Sequence, residues 1–173
     1  ALVARGMHQS WRIRVFCEEP RLAYNRVNLT KYFSGCGADE LSMGRLDWYQ
    51  AKGIQVHIGD PIISIDRLQR LAVSRSGVCH SYDQMVLATG SAPFMPALEG
   101  IEHPGVFTYR TIEDLEAIAA WAGHSTRAAV IGGGLLGLEA AKALVALGLE
   151  TAVVEYNDRL MPRQLDGAAS ALL

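Results

Sequence analysis

Polar and apolar residues alternate from Trp11 to Cys17, a period of two that predicts a strand running into Glu18 and Glu19 and stopped by Pro20. A second alternating run, Ile54–Ile58, ends at the turn signal Gly59-Asp60-Pro61. Ile62–Asp66 and Leu71–Ser74 then read as a hairpin, and Met85–Ala88 as a short buried strand stopped by Thr89 and Gly90. Between the first two strands the pattern is weaker. Residues 1–6 resemble the tail of a helix, residues 20–37 a loop, and residues 39–52 short helices closed by Gly53. Residues 91–108 hold Pro93, Pro96 and Pro104 with no clear period, and mark a domain boundary or crossover. Beyond them the pattern becomes regular. Thr111 caps a helix from Ile112 to about Trp121, with Asp114 in capping-box position. Arg127–Ile131 reads as a strand, Leu135–Leu147 as a helix and Thr151–Glu155 as a strand. The alternation of strands and helices gives an α/β class.

The last of these segments carries the strongest chemical signal. Its turn, Gly132 to Gly137, fits G-x-G-x-x-G, follows an apolar strand, opens a helix, and is followed by the acid Glu155 at the end of the next strand. Each residue type has a physical role in such a unit. Gly132 permits a tight turn, Gly134 lets backbone approach a pyrophosphate, and Gly137 lets helix and strand pack closely. The free N–H groups and positive dipole end of the helix hold phosphate, and Glu155 accepts hydrogen bonds from ribose hydroxyls. A 2′-phosphate would be repelled by Glu155, which favours NADH over NADPH, although Arg159 and Arg163 could pair with such a phosphate.

Composition narrows the classes without choosing a reaction. Half the 173 residues are hydrophobic and a fifth charged, an ordinary globular balance, and the net charge of −2 with no basic stripe argues against a nucleic-acid partner. Ala128–Gly148 is apolar enough to suggest a membrane span, but Glu139 and Lys142 inside it favour buried soluble structure. The three cysteines, Cys17, Cys36 and Cys79, form no CxxC, cannot all pair, and read as reduced thiols of a cytoplasmic protein. No metal-ligand spacing is present.

The segment from Val15 to Phe33, the segment from Val106 to Leu115 and the glycine turn through Ala141 together resemble the FAD/NAD(P)-binding region of the large subunit of NAD(P)H-dependent nitrite reductases, in the pyridine nucleotide-disulfide oxidoreductase superfamily. The segment from Tyr82 to Ser91 is similar to the apolar strand followed by Ala-Thr-Gly at which that superfamily passes from its FAD domain to its NAD domain. The resemblance covers nearly the whole chain. It implies a two-dinucleotide-binding-domain (Rossmann-like) flavoprotein fold, truncated at both ends, with residues 1–108 as a partial FAD-binding domain and 109–173 as a partial NAD(P)-binding domain. No glycine turn precedes the first strand, and the acidic motif that touches the ribityl chain is absent, so a fragment is expected. Such a fragment should bind FAD weakly and be inactive alone.

The resemblance also implies roles for individual residues. Glu18 matches the acid on the adenosine ribose of FAD, Lys31 the lysine at the reactive edge of the flavin, Ile62 a backbone contact to adenine, and Arg110 an FAD-contacting arginine. Thr89 and Gly90 belong to the crossover motif. Glu139 matches the glutamate that pairs with the flavin-side lysine, so Lys31 and Glu139 form the expected catalytic pair; the local alternative is Glu139 with Lys142 on one helix face. The implied activity is hydride transfer from NADH to FAD, with electrons passed onward to an iron–sulfur cluster and sirohaem outside this chain, in a downstream redox domain or an electron-carrier protein. A rubredoxin, ferredoxin or nitrate reductase electron-transfer reductase is the alternative, as is a nucleotide-binding module without turnover. The oligomeric state stays open, a homo-oligomer included.

Overall fold

The computed structural model describes residues 1–173, which fall into two compact units. The first joins residues 1–25 to 42–91; the second joins residues 26–41 to 92–173.

In the first unit two short 3₁₀ turns, Val3–Arg5 and Met7–Gln9, meet at Gly6, whose φ of 73° supplies the left-handed turn between them. Strand β1 (Arg14–Phe16) pairs in parallel with β2 (Gln55–His57), Val15 opposite Val56. Parallel neighbours need a crossover; part of it is a short helix (Leu46–Ala51) that ends before Gly53 at φ 66°. β3 (Ile62–Asp66) and β4 (Leu71–Ser74) form the expected hairpin, and β5 (Cys79–Ser81) adds a third antiparallel strand. Ala72 and Ser74 on β4, and Ile54 beside β2, are buried.

The second unit is built on the regular half of the chain. A helix at Ala38–Leu41, here α1, precedes in sequence the short helix just described, α2. α3 (Ile112–Ala122) begins with the expected capping box: Thr111 Oγ1 accepts from the Asp114 N–H at 3.1 Å, and Asp114 Oδ2 accepts from the Thr111 N–H at 3.0 Å. The same oxygen also takes the Arg110 N–H at 2.9 Å and the Thr108 hydroxyl at 2.9 Å, so one carboxylate ties down three residues of approach chain. Ile112 and Leu115 are completely buried beneath it. β6 (Arg127–Ile131) pairs in parallel with β7 (Glu150–Val154), Val130 opposite Val153, and α4 (Leu135–Ala146) is the crossover between them. Ala140, Ala141 and Ala143 form the buried face of α4; small side chains there let helix and strands approach closely. A short helix α5 (Gly167–Ala171) is capped by Asp166 Oδ1 on the Ala169 N–H at 2.8 Å.

Two expectations need correction, and two short elements were not foreseen. Within residues 20–37 the chain makes a nine-residue 3₁₀ helix, Arg26–Ser34, around buried Leu29. Its polar composition carries no helical period, and packing rather than propensity holds it. Met85–Ala88 forms no strand: no neighbouring strand takes its backbone groups, and Val86 and Leu87 are 81% and 70% exposed. β5 and α5 were not foreseen, because Cys79–Ser81 and Gly167–Ala171 hold no alternation of polar and large apolar residues.

Candidate dinucleotide site

The glycine turn is assembled from both ends of the parallel pair. Beyond Ile131, the Gly132 N–H still donates to the Val154 carbonyl at 2.8 Å, extending the ladder by one bond. Gly132 then turns at φ 110°, a conformation that only glycine adopts freely. A Cβ on Gly137 would drive into the Gly132 carbonyl oxygen, and one on Gly133 would lie 2.5 Å from Leu160 Cδ2. Gly137 is thus required by packing within the protein itself, whereas a side chain at Gly133 would displace the end of Leu160.

Gly134 differs. A Cβ there would meet no atom within 4 Å. It is the N-cap of α4 with extended backbone, and no side chain caps the helix. The first turn of a twelve-residue helix therefore presents uncapped N–H groups and its positive dipole end toward open space. Open space at Gly134 and unsatisfied donors beside it fit a pyrophosphate; packing within the protein does not call for a glycine there.

Glu155, the residue after β7, is bound into this turn. Its Oε2 accepts from the Gly133 N–H at 2.6 Å, and its Oε1 accepts from the Asn157 N–H at 2.9 Å and from Asn157 Nδ2. These bonds, those from Asn157 and Gly133 backbone foremost, hold the carboxyl below the ordinary glutamate range, so it is ionised at neutral pH. The loop continues back over the turn, with the Met161 N–H on the Gly133 carbonyl at 2.8 Å and Met161 itself at φ 48°. Sequence reasoning found Glu155 by spacing; it missed Asn157 and Met161, whose role depends on the path of the loop.

The second group lies where the 3₁₀ helix meets α4. Glu139 Oε2 accepts from the Thr30 hydroxyl at 3.0 Å, and Thr30 Oγ1 accepts from the Tyr109 hydroxyl at 3.3 Å. The expected Lys31–Glu139 pair is not formed. A 3₁₀ helix turns about 120° per residue, so Thr30 faces Glu139 and Lys31, the next residue, points to solvent. Neither does Glu139 pair with Lys142. Arg110 is placed through its backbone: its carbonyl accepts from Arg26 Nη1 at 3.0 Å, and its N–H is held by Asp114.

Glu18, Ile62, Thr89 and Gly90 lie in the first unit. Glu18 is exposed just beyond β1, with Arg75 Nη2 3.8 Å from its carboxylate, a surface pair of small energetic weight. Ile62 opens β3, half-buried. Thr89 and Gly90 are exposed, Gly90 at φ 68°. All three cysteines are free thiols, and burial, reinforced by Glu19, raises the Cys17 thiol above its ordinary value. No group of three or more His, Cys, Asp or Glu side chains gathers as a metal site, and no helix is long and apolar enough to cross a membrane.

A parallel β6–α4–β7 unit with a glycine turn open at Gly134 and an acid at the end of the second strand defines a dinucleotide-binding α/β protein. The chain belongs to the pyridine nucleotide-disulphide oxidoreductase family, whose model matches residues 1–173. It is 49% identical over 171 residues to the nitrite reductase [NAD(P)H] large subunit of Klebsiella oxytoca, covering 99% of this chain and 18% of that protein. To the nitrite reductase (NADH) large subunit of Escherichia coli (strain K12) it is 51% identical over 154 residues, covering 89% of this chain and 18% of that one. The chain therefore spans about a fifth of the length of these relatives. The ferredoxin reductase for the CYP199A2 system from Rhodopseudomonas palustris superposes with a TM-score of 0.87 at 31% identity, over 98% of this chain and 42% of that one.

Proposed function

We propose that the chain is the FAD- and NAD(P)H-binding part of an assimilatory nitrite reductase, with NADH as the favoured donor. The observation that carries this reading is the open cradle at Gly134, next to an uncapped helix start and an ionised Glu155. The N–H groups of the first turn of α4 take the pyrophosphate. A carboxylate has about four acceptor positions; three of those on Glu155 are filled by Gly133 and Asn157, which leaves one on Oε2 for a ribose hydroxyl. Its negative charge disfavours a 2′-phosphate, with Arg159 and Arg163 the only nearby cations in sequence to offset it.

On the FAD side, residues 1–108 supply Glu18 for the adenosine ribose, a backbone contact at Ile62 for adenine, and Thr89 and Gly90 at the crossover. Lys31 serves the reactive edge of the flavin, and Arg110, at the start of residues 109–173, also contacts FAD. FAD supplies the chemistry of accepting hydride from a reduced nicotinamide and releasing electrons one at a time. The residues of this chain bind, orient and shield; Glu139 is placed at the nicotinamide end. Onward acceptors, an iron–sulfur cluster and sirohaem, lie in other parts of the protein, and the setting is cytoplasmic. The likeness to a ferredoxin reductase favours one further reading, in which electrons leave for a separate carrier protein.

Gly134→Ala tests the binding reading. The substitution meets no steric obstacle, so thermal stability should stay at the wild-type value while NADH affinity, measured by calorimetric titration, falls at least about tenfold. Unchanged affinity with unchanged stability would remove the pyrophosphate from this turn. Nitrite-dependent against carrier-dependent NADH oxidation then separates the two acceptor readings.

A further inference from the structure

Thr30 and Tyr109 have no role in the reading above, yet the fold brings both to Glu139. The three residues come from three separate segments: the 3₁₀ helix Arg26–Ser34, the approach to α3, and α4. Each is partly buried. The segment that carries Tyr109 is held on both sides, by Asp114 on Thr108 and Arg110, and by Arg26 on the Arg110 carbonyl. The Tyr109 ring stacks on Phe33, centroids 6.2 Å apart at an interplanar angle of 21°. Neither the ring nor its hydroxyl is placed by chance contact with solvent.

The proton inventory fixes the direction of the chain of bonds. An ionised carboxylate only accepts, so the single proton of the Thr30 hydroxyl goes to Glu139. The Thr30 oxygen is then left with acceptor capacity alone, and the Tyr109 hydroxyl donates to it. Loss of the tyrosine proton would leave two acceptors competing for one threonine proton. Burial raises the Tyr109 phenol above its ordinary value and the Glu139 charge raises it further, against a lowering by the hydrogen bond with Thr30.

We propose that Tyr109 and Thr30 are positioning residues for Glu139: a one-directional hydroxyl relay, Tyr109 to Thr30 to carboxylate, holds Oε2 and leaves Oε1 to face the nicotinamide end of the site. The proposal rests on the placement of Glu139 given under Proposed function. It differs from an ion pair in that the carboxylate is oriented by two neutral hydroxyls and keeps its charge uncompensated.

Two measurements test it. In the intact protein, ¹³C-tyrosine NMR follows the Tyr109 titration: Glu139→Gln should lower it, and in a Thr30→Val background the same change should have a smaller effect, because only the through-space part remains. In the intact FAD-loaded protein, anaerobic stopped-flow reads flavin reduction by NADH. Thr30→Val and Tyr109→Phe should slow the reduction step about tenfold or more with little change in NADH affinity, and Thr30→Ser should restore it. Equal Glu139→Gln effects on Tyr109 with and without the Thr30 hydroxyl, or wild-type reduction rates in both variants while Glu139→Gln is slow, would overturn the relay alone. A wild-type rate in Glu139→Gln would overturn the placement of Glu139 and the relay with it.

Discussion

Glu155 shows how much one side chain carries here. Its carboxylate closes the glycine turn through Gly133 and fastens the following loop through Asn157. The folded-state pKa is depressed, so the stability it supplies is fully present above the ordinary glutamate value of about 4.3 and is lost as pH falls below that toward the folded value. Glu155→Gln puts an amide donor against donors that the carboxylate accepted. Its denaturation midpoint should therefore lie below wild type at neutral pH, and the gap should narrow as pH drops below about 4. A constant gap from pH 7 to pH 3, followed by urea titration, would show that the charge is not what holds the turn. In the same variant the preference for NADH over NADPH should weaken.

At the scale of elements the β6–α4–β7 unit is the most demanding piece of packing. Gly137→Ala should cost on the order of 3 kcal/mol, since a methyl group would have to displace the backbone of Gly132 rather than a flexible side chain. Urea unfolding measures this, and the contrast with a silent Gly134→Ala separates a glycine needed for packing from one needed for a ligand. This unit was also the most legible in the sequence. β6 was placed at its observed bounds, α4 and β7 to within a residue at each end, and the Thr111–Asp114 capping box in full, because each has a period or a local hydrogen-bond signature. The 3₁₀ helix was not legible, since Leu29 is its only buried residue and its shape comes from contact with α4. The Thr30–Glu139 bond was hidden for the same reason. The resemblance brought residue 31 to Glu139, but a difference of one position on a helix decides which side chain arrives.

The molecule as a whole leaves much apolar surface uncovered. Ile131 and Val154 on the outer face of β6 and β7 are 65% and 56% exposed, and Phe94, beyond the extended segment with Val86 and Leu87, is 89% exposed. The two parallel sheets have two strands each, with open edges. The isolated chain should bind the dye ANS and self-associate at micromolar concentration, both reduced by Val86→Lys with Phe94→Lys. Monodisperse scattering and no dye fluorescence would contradict this.

The chain after β7 doubles back so that Met161 and Leu160 rest on Gly133, while Glu155 grips it from below. Under the proposed function, the acid that discriminates between coenzymes and the turn that cradles their phosphates are one hydrogen-bonded unit. Exchange of coenzyme preference by altering the acid alone would loosen the cradle, so a lineage or an engineer changing donor must rebuild the loop and the turn together.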